Sequence, residues 1–174
     1  MNILSWNVNS LGRRVKNCQL DWFFNEAPAM LCLQETKLKP GNSISIDGYY
    51  QYHSTSKTGW SGVAIFTKEK PLKIHDSLDG HYADYGRILQ ADYEDFILLN
   101  IYFPHETAKD CEHYQFYEHF LDYANELNKS NEVIICGDFN IAHRENDLEN
   151  SDKEEMGFRK KQRALIDKLI SYGY

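Results

Sequence analysis

Asp138 and Asn140 stand two residues apart, just beyond an apolar run, Val133-Ile134-Ile135-Cys136, that Gly137 breaks. Such a run is too short for a helix and reads as a strand buried on both faces. Extended-chain alternation places both polar side chains on one side and turns Phe139 back to the core. A carboxylate and a carboxamide at the mouth of a buried strand mark where α/β proteins keep their chemistry, although an Asx turn explains this segment equally well on its own. Three further strand-like runs end the same way. Asn7 and Asn9 close residues 3–8, Glu35 follows 30–33, and Tyr102 lies near the end of 96–103. Four such ends on strands of a shared sheet are hard to assign to turns alone. The set is all oxygen: one Glu, one Asp, several Asn and a phenol. Hard oxygen donors with few carboxylates suit Mg²⁺ or Mn²⁺, which keep several waters and share coordination with a substrate phosphate. Zinc would want His or Cys, and neither clusters here.

The elements that must hold these groups can be read in order. Residues 3–8 form a strand, Arg13, Arg14 and Lys16 lie on a loop, and 18–26 form a short helix closed by Pro28. With the strand at 30–33 this makes a β-α-β unit and predicts a parallel pair. Residues 41–59 read as loop and 61–67 as a strand. Residues 87–93 and 96–103, separated by Glu94-Asp95, read as a β-hairpin ended by Pro104. The clearest helix covers 112–128, with Phe116, Phe120, Tyr123 and Leu127 on one face, and a last helix covers 159–172, burying Leu165, Leu169 and Tyr172. No repeat or linker divides the chain, so 1–174 reads as a single domain.

At 174 residues and 42% hydrophobic content the chain can build a sizeable core. Twelve Tyr, nine Phe and three Trp exclude global disorder. The net charge of −7 argues against holding polyanions by bulk electrostatics, without excluding a local basic face. Cys18, Cys32, Cys111 and Cys136 form no CxxC pair and read as reduced thiols. No basic n-region opens the chain and no run is long enough to span a membrane, so a cytoplasmic, non-secreted protein without a membrane partner is expected, nucleoid-associated if prokaryotic.

Several motifs closely resemble exonuclease III and its relatives, the apurinic/apyrimidinic endonucleases of the endonuclease/exonuclease/phosphatase superfamily. They are Ser5-Trp6-Asn7-Val8-Asn9, Leu31-Cys32-Leu33-Gln34-Glu35-Thr36-Lys37, Gly59-Trp60-Ser61-Gly62-Val63-Ala64 and Gly86-Arg87. Asn100-Ile101-Tyr102-Phe103-Pro104, Cys136-Gly137-Asp138-Phe139-Asn140 and Ala142-His143 complete the series. Asp147-Leu148 and Gly157-Phe158 narrow the match to the repair nucleases. The resemblance implies a Mg²⁺-dependent phosphodiesterase (Mn²⁺ substituting) on double-stranded DNA, cutting 5′ to abasic sites and trimming damaged 3′ ends in base excision repair. Glu35 would bind the metal, with Asn7 supporting it and the catalytic Asp138, which orients or deprotonates the attacking water. Asn140 would steady the phosphate, itself near the metal, and Tyr102 would contact the same phosphate. Asn9, Arg13, Lys37, Trp60, Arg87 and His105 would contact DNA, positioning the duplex without reading its sequence.

Blander readings attach to several of these. Arg13, Arg14, Arg159, Lys160, Lys161 and Arg163 also read as solvated charge, and Trp60 equally as core. His53, His75, His81, His113 and His119 read as surface or loop histidines, and Asp147 as a loop brace. The fold implied by the resemblance is α/β, part of a DNase I-like four-layered α/β sandwich whose C-terminal third is absent from this chain. One sheet and part of a second are then expected. A Ser-Asp-His motif that closes the family's site occurs nowhere in these 174 residues, so weak activity, uncovered apolar faces on 96–103 and 133–136, and self-association are expected of them. The alternatives are another phosphoesterase of the superfamily, such as an inositol-phosphate or lipid phosphatase, and a non-catalytic DNA-binding fragment.

Overall fold

Among the described residues eight strands build two four-stranded mixed sheets, and the polar ends named above lie on four of them. The computed structural model describes residues 1–106, 112–148 and 156–174. These fall into two compact units, Met1–Tyr102 with Glu132–Asp138, and Phe103–Asn131 with Phe139–Tyr174.

In the first unit, β1 (Ile3–Asn7) pairs in parallel with β2 (Met30–Gln34), as a β-α-β unit requires. β3 (Tyr50–Ser54) and β4 (Val63–Thr67) complete a sheet of order β1-β2-β4-β3. The second sheet has the order β5-β6-β7-β8, from β5 (Lys73–His75), β6 (Ile88–Asp92), β7 (Ile97–Tyr102) and β8 (Val133–Asp138). β6 and β7 form the expected antiparallel hairpin, and β8 runs parallel to β7 with Tyr102 opposite Asp138. Gly137 permits that pairing: a Cβ there would stand 2.0 Å from the Ile101 carbonyl oxygen.

Apolar side chains from the two sheets share one core. Met30, Cys32, Val63 and Ile65 meet Leu89, Ala91, Tyr93 and Leu98, with Phe96, Ile134 and Cys136 packed beside them. The other face of the first sheet is covered by α1 (Leu11–Lys16), α2 (Asp21–Glu26) and the turn between them, through Leu11, Phe23 and Leu20 on Leu31, Leu33 and Phe66. Burying such side chains stabilises by about 1.5–3 kcal/mol each.

The second unit is helical. α3 (Glu112–Asn128) buries Phe116, Tyr117, Phe120, Leu121 and Ala124, and α4 (Lys160–Ser171) buries Leu169. Phe103 stacks on Tyr117 and Phe139 at 4.4 and 4.7 Å. The C-terminal ends of α3 and α4 are tied by Asn128 Nδ2 donating to the Tyr172 carbonyl at 2.8 Å. Asp147 does brace its loop, its carboxylate accepting from the Arg144 and His143 amides at 2.8 and 3.2 Å.

Several expectations need correction. Arg13, Arg14 and Lys16 lie on α1, not on a loop, and the single helix over 18–26 begins only at Asp21. β3 lies inside the expected loop, and β5 was not expected. β8 is an edge strand, half-buried along its whole length. The two four-stranded sheets are in keeping with a partial sandwich, but side chains of the runs at 96–103 and 133–136 meet the opposite sheet. His113 is buried on α3, its ring nitrogen 2.6 Å from the Pro104 carbonyl, so it is no surface histidine. Cys18, Cys32 and Cys136 are free thiols, while Cys111 lies outside the described residues.

Candidate active site

Each of the strands β1, β2, β7 and β8 delivers a polar group at or just past its C-terminal end. Asn7 closes β1, Glu35 follows β2, Tyr102 closes β7 and Asp138 closes β8. The Asn7 amide joins three of the four strands. Its Nδ2 donates to Glu35 Oε1 at 2.8 Å and to Asp138 Oδ2 at 2.7 Å, while its Oδ1 accepts from the Asn9 amide at 3.1 Å. Two carboxylates, which repel, are thus held on one neutral donor.

Cations and a phenol surround the pair. Lys37 Nζ lies 2.8 Å from Glu35 Oε2 and also donates to Asn9 Oδ1. Burial pulls the Glu35 carboxyl up, but hydrogen bonds from Asn7, Lys37 and Tyr102 outweigh it and hold the group below its ordinary value. The Tyr102 hydroxyl is pushed up to about 12, by burial first and by the Glu35 charge second, so it remains a hydrogen-bond donor at neutral pH. Arg87 stacks its guanidinium 4.7 Å over the Tyr102 ring and donates to the Tyr102 carbonyl at 3.1 Å. Burial lowers the Arg87 pKa, against the opposing pull of Tyr102 and Glu35.

The backbone that carries these groups is strained and pinned. Asn9, Ser10, Glu35 and Lys37 all have positive φ, from 42° to 88°, where an L side chain costs about 1 kcal/mol or more. Crossed amide bonds hold them there. Ser10 N donates to Glu35 O at 2.8 Å, Leu11 N to Thr36 O at 2.9 Å, and Lys37 N to Ser61 O at 2.9 Å. Gly62 closes the set, since a Cβ there would stand 2.2 Å from Thr36 Oγ1.

One residue back along three of these strands, or two, lies a second polar group that sequence reasoning missed. Gln34 Nε2 donates to Asn100 Oδ1 at 2.7 Å and Ser5 Oγ at 3.1 Å. Asn100 Nδ2 donates across to the other sheet, to Ala64 O at 2.8 Å and Leu33 O at 3.1 Å. Gln34 and Asn100 are 1% and 0% exposed. The signal was available: an amide inside a buried apolar run must find partners, because an unpaired one costs about 1–3 kcal/mol.

Of the sequence candidates, Asn7, Asn9, Glu35, Lys37, Arg87, Tyr102 and Asp138 are brought together in the first unit. Trp60 is 77% exposed, which excludes the core reading. Arg13 is exposed on α1, whereas Arg14 is engaged, donating to Val8 O at 2.7 Å and lying over Trp6. Asn140 and His105 belong to the second unit. Alternation cannot be carried past Asp138, because β8 ends there and Asn140 has a φ of 51°. Asn140 Nδ2 donates to Phe103 O at 2.8 Å.

The donor chemistry suits a hard dication. Glu35 and Asp138 offer carboxylate oxygens on a common amide, and hard ions that retain water need only one or two such groups. Among the described residues no group of three or more His, Cys, Asp and Glu gathers to hold a metal.

Known proteins place the chain in a family. Residues 4–155 match the Endonuclease/Exonuclease/phosphatase family. Recombination repair protein 1 of Drosophila melanogaster is 33% identical over 184 residues, covering 100% of this chain and 27% of that protein. An exodeoxyribonuclease of Bacillus subtilis is 30% identical over 184 residues, covering 100% of this chain and 73% of its own length. The structure of an AP endonuclease from Archaeoglobus fulgidus superposes with a TM-score of 0.81 at 28% identity, covering 98% of this chain and 70% of that one. The fold is DNase I-like, and the chain spans only part of each relative, about a quarter of the Drosophila protein. The chain belongs to the endonuclease/exonuclease/phosphatase family, among its exodeoxyribonucleases and apurinic/apyrimidinic endonucleases.

Proposed function

We propose that the protein is a divalent-metal-dependent DNA repair phosphodiesterase, an AP endonuclease with 3′–5′ exonuclease or 3′-end trimming activity. The observation that carries this reading is the Asn7 amide shared between Glu35 and Asp138, with Lys37 and Arg87 beside it. Phosphodiester hydrolysis needs an in-line water, a base for its proton, and donors where negative charge develops. Asp138 takes the water's proton as the oxygen attacks phosphorus and the 3′ oxygen leaves. Asn7 keeps the Asp138 carboxylate turned toward the water. Tyr102, protonated, donates to a phosphate oxygen, and Lys37 supplies positive charge to the same group. Glu35, with Asn7 and Asp138 near it, would hold Mg²⁺ or Mn²⁺, which supplies positive charge to the phosphate when bound. Abasic sites and damaged 3′ ends in double-stranded DNA are the substrates this reading assigns. The 174 residues lack the Ser-Asp-His motif of the resembling nucleases, so their own rate is expected to be low.

An abasic duplex incubated with Mg²⁺, then with EDTA, then with Mg²⁺ in excess tests this. Cleavage 5′ to the abasic site that EDTA abolishes and metal restores supports it. Hydrolysis of soluble inositol phosphates or lipid headgroups, with all DNA left intact, would overturn it.

A further inference from the structure

Two thiols meet in the core between the sheets of the first unit. Cys32 on β2 is fully buried, and Cys136 on β8 is half-buried and packs into the same cluster. The two side chains are hydrogen-bonded to each other, Cys32 donating to the Cys136 sulfur. The surrounding backbone explains why they meet. In the β7–β8 register Cys136 stands opposite Asn100, and the Asn100 amide reaches across to the Leu33 carbonyl at 3.1 Å, next to Cys32. β2 and β8 accordingly approach to within 8 Å between Cα atoms, closer than the roughly 10 Å usual between packed sheets. Disulfides span Cα separations of about 4.4–6.8 Å, so a small approach of the two strands is enough to join the sulfurs.

The hydrolysis uses neither thiol. What sets two thiols in contact apart from any other packing pair is a single reaction, oxidation to a disulfide. We propose that Cys32 and Cys136 form a reversible disulfide between the sheets when the protein meets hydrogen peroxide, and that this bond slows cleavage by shifting the end of β8. The slowing rests on the nuclease reading, and the disulfide does not.

Cys136 is the more exposed of the two and meets the oxidant first. Its sulfur attacks one peroxide oxygen, the O–O bond breaks and hydroxide leaves, giving a sulfenic acid. The Cys32 sulfur then attacks the sulfenic sulfur, the S–O bond breaks and water leaves. Across both steps two thiols and one hydrogen peroxide become one disulfide and two waters. The new bond draws sulfurs in contact to about 2.05 Å. Cys136 lies two residues before Asp138, on the same side of the strand, and Asp138 is held on Asn7 at 2.7 Å. A shift of the strand end therefore reaches the Asp138 carboxylate.

The test combines Cys18→Ser and Cys111→Ser, so that only the pair remains. After peroxide, digestion without reductant should yield the Cys32 and Cys136 peptides linked, lighter by two hydrogens than the separate pair. Closing so long a loop restrains the unfolded chain, so the melting temperature should rise, and dithiothreitol should return it. Cleavage of an abasic duplex should fall by about 10²-fold, the scale of a misplacement of about 1 Å, and recover with dithiothreitol. Cys136→Ser and Cys32→Ala, each in the same background, should keep their rates in peroxide. Thiols that stay free, or a sulfinic acid on Cys136 with no linked peptides, would overturn the disulfide. A linked protein that cleaves as fast as the reduced one would overturn the slowing. Reduced protein that cuts nothing would overturn the nuclease reading and the slowing with it, while the linked peptides still decide the disulfide.

Discussion

Gln34 and Glu35 are neighbours in the chain, yet they belong to two polar clusters of opposite character. The Gln34–Asn100 cluster is neutral, lies between the sheets, and gives each amide nitrogen protein acceptors. The Asn7–Glu35–Asp138 cluster is charged and half-buried, and its carboxylates have more acceptor capacity than the amide they share can fill. The first is complete by itself and joins two sheets. The second brings two negative charges onto one neutral amide, which is the condition for attracting a cation. The neutral cluster closes its hydrogen-bonding account within the protein, and the charged one gathers like charge where a cation would be drawn in.

Asp138→Asn is the strongest test of that distinction. The asparagine carbonyl can still accept from Asn7, so fold and DNA binding should persist while the group loses its ability to take a proton. The rate of abasic-site cleavage should fall by about 10²–10⁴, the range for a general base. Measuring kcat together with the melting temperature checks it, and a near-normal kcat would remove Asp138 from the role of base.

Gln34→Glu should do the reverse, damaging the fold by opening the closed account. The new carboxylate would face Asn100 Oδ1, and Asn100 cannot turn round without leaving the Ala64 and Leu33 carbonyls. An uncompensated buried charge costs about 3–5 kcal/mol. Burial and the facing oxygen would raise the carboxyl's folded-state pKa above its unfolded value of about 4.3. The variant should therefore lie closest to wild type below that unfolded value and lose stability progressively as pH rises through the raised folded value. Denaturant melts across pH check this, and a pH-independent difference would show that the charge is not what hurts.

How far these clusters were legible in the sequence follows from the same physics. β2 and β7 were legible because strands buried throughout read as unbroken apolar runs, and α3 because Phe116 and Phe120 recur at helical spacing. β3 (Tyr-Gln-Tyr-His-Ser) was not, because an edge strand has no such run, and β5 has only three residues. α1, six residues long with Gly12 and three basic side chains, carries too little pattern to separate from a loop. Glu35 and Asp138 were visible because a carboxylate after an apolar run is conspicuous. Gln34 and Asn100 passed unremarked because an amide is less so, and their partners lie on other strands. The placing of Asn140 failed for a local reason, its left-handed backbone, which alternation assumes away.

Glu35→Gln is the mildest of the three substitutions and the one that most sharpens the comparison. It removes one of the open cluster's two negative charges, in a side chain of nearly the same shape. The fold should hardly notice. The exchange forfeits one partly exposed ion pair with Lys37, worth up to about 1 kcal/mol, and relieves repulsion from Asp138. What should change is the hold on a dication that sheds its water reluctantly and needs anionic oxygen to do so. Cleavage should then demand more metal than wild type does, with Mn²⁺ or excess Mg²⁺ recovering part of the rate. A titration of rate against each metal, run beside a thermal melt, distinguishes the cases. A rate that stays equally low at every metal concentration would mean that Glu35 chiefly positions Asn7 and Lys37. The charge in this cluster would then serve the protein and not a ligand.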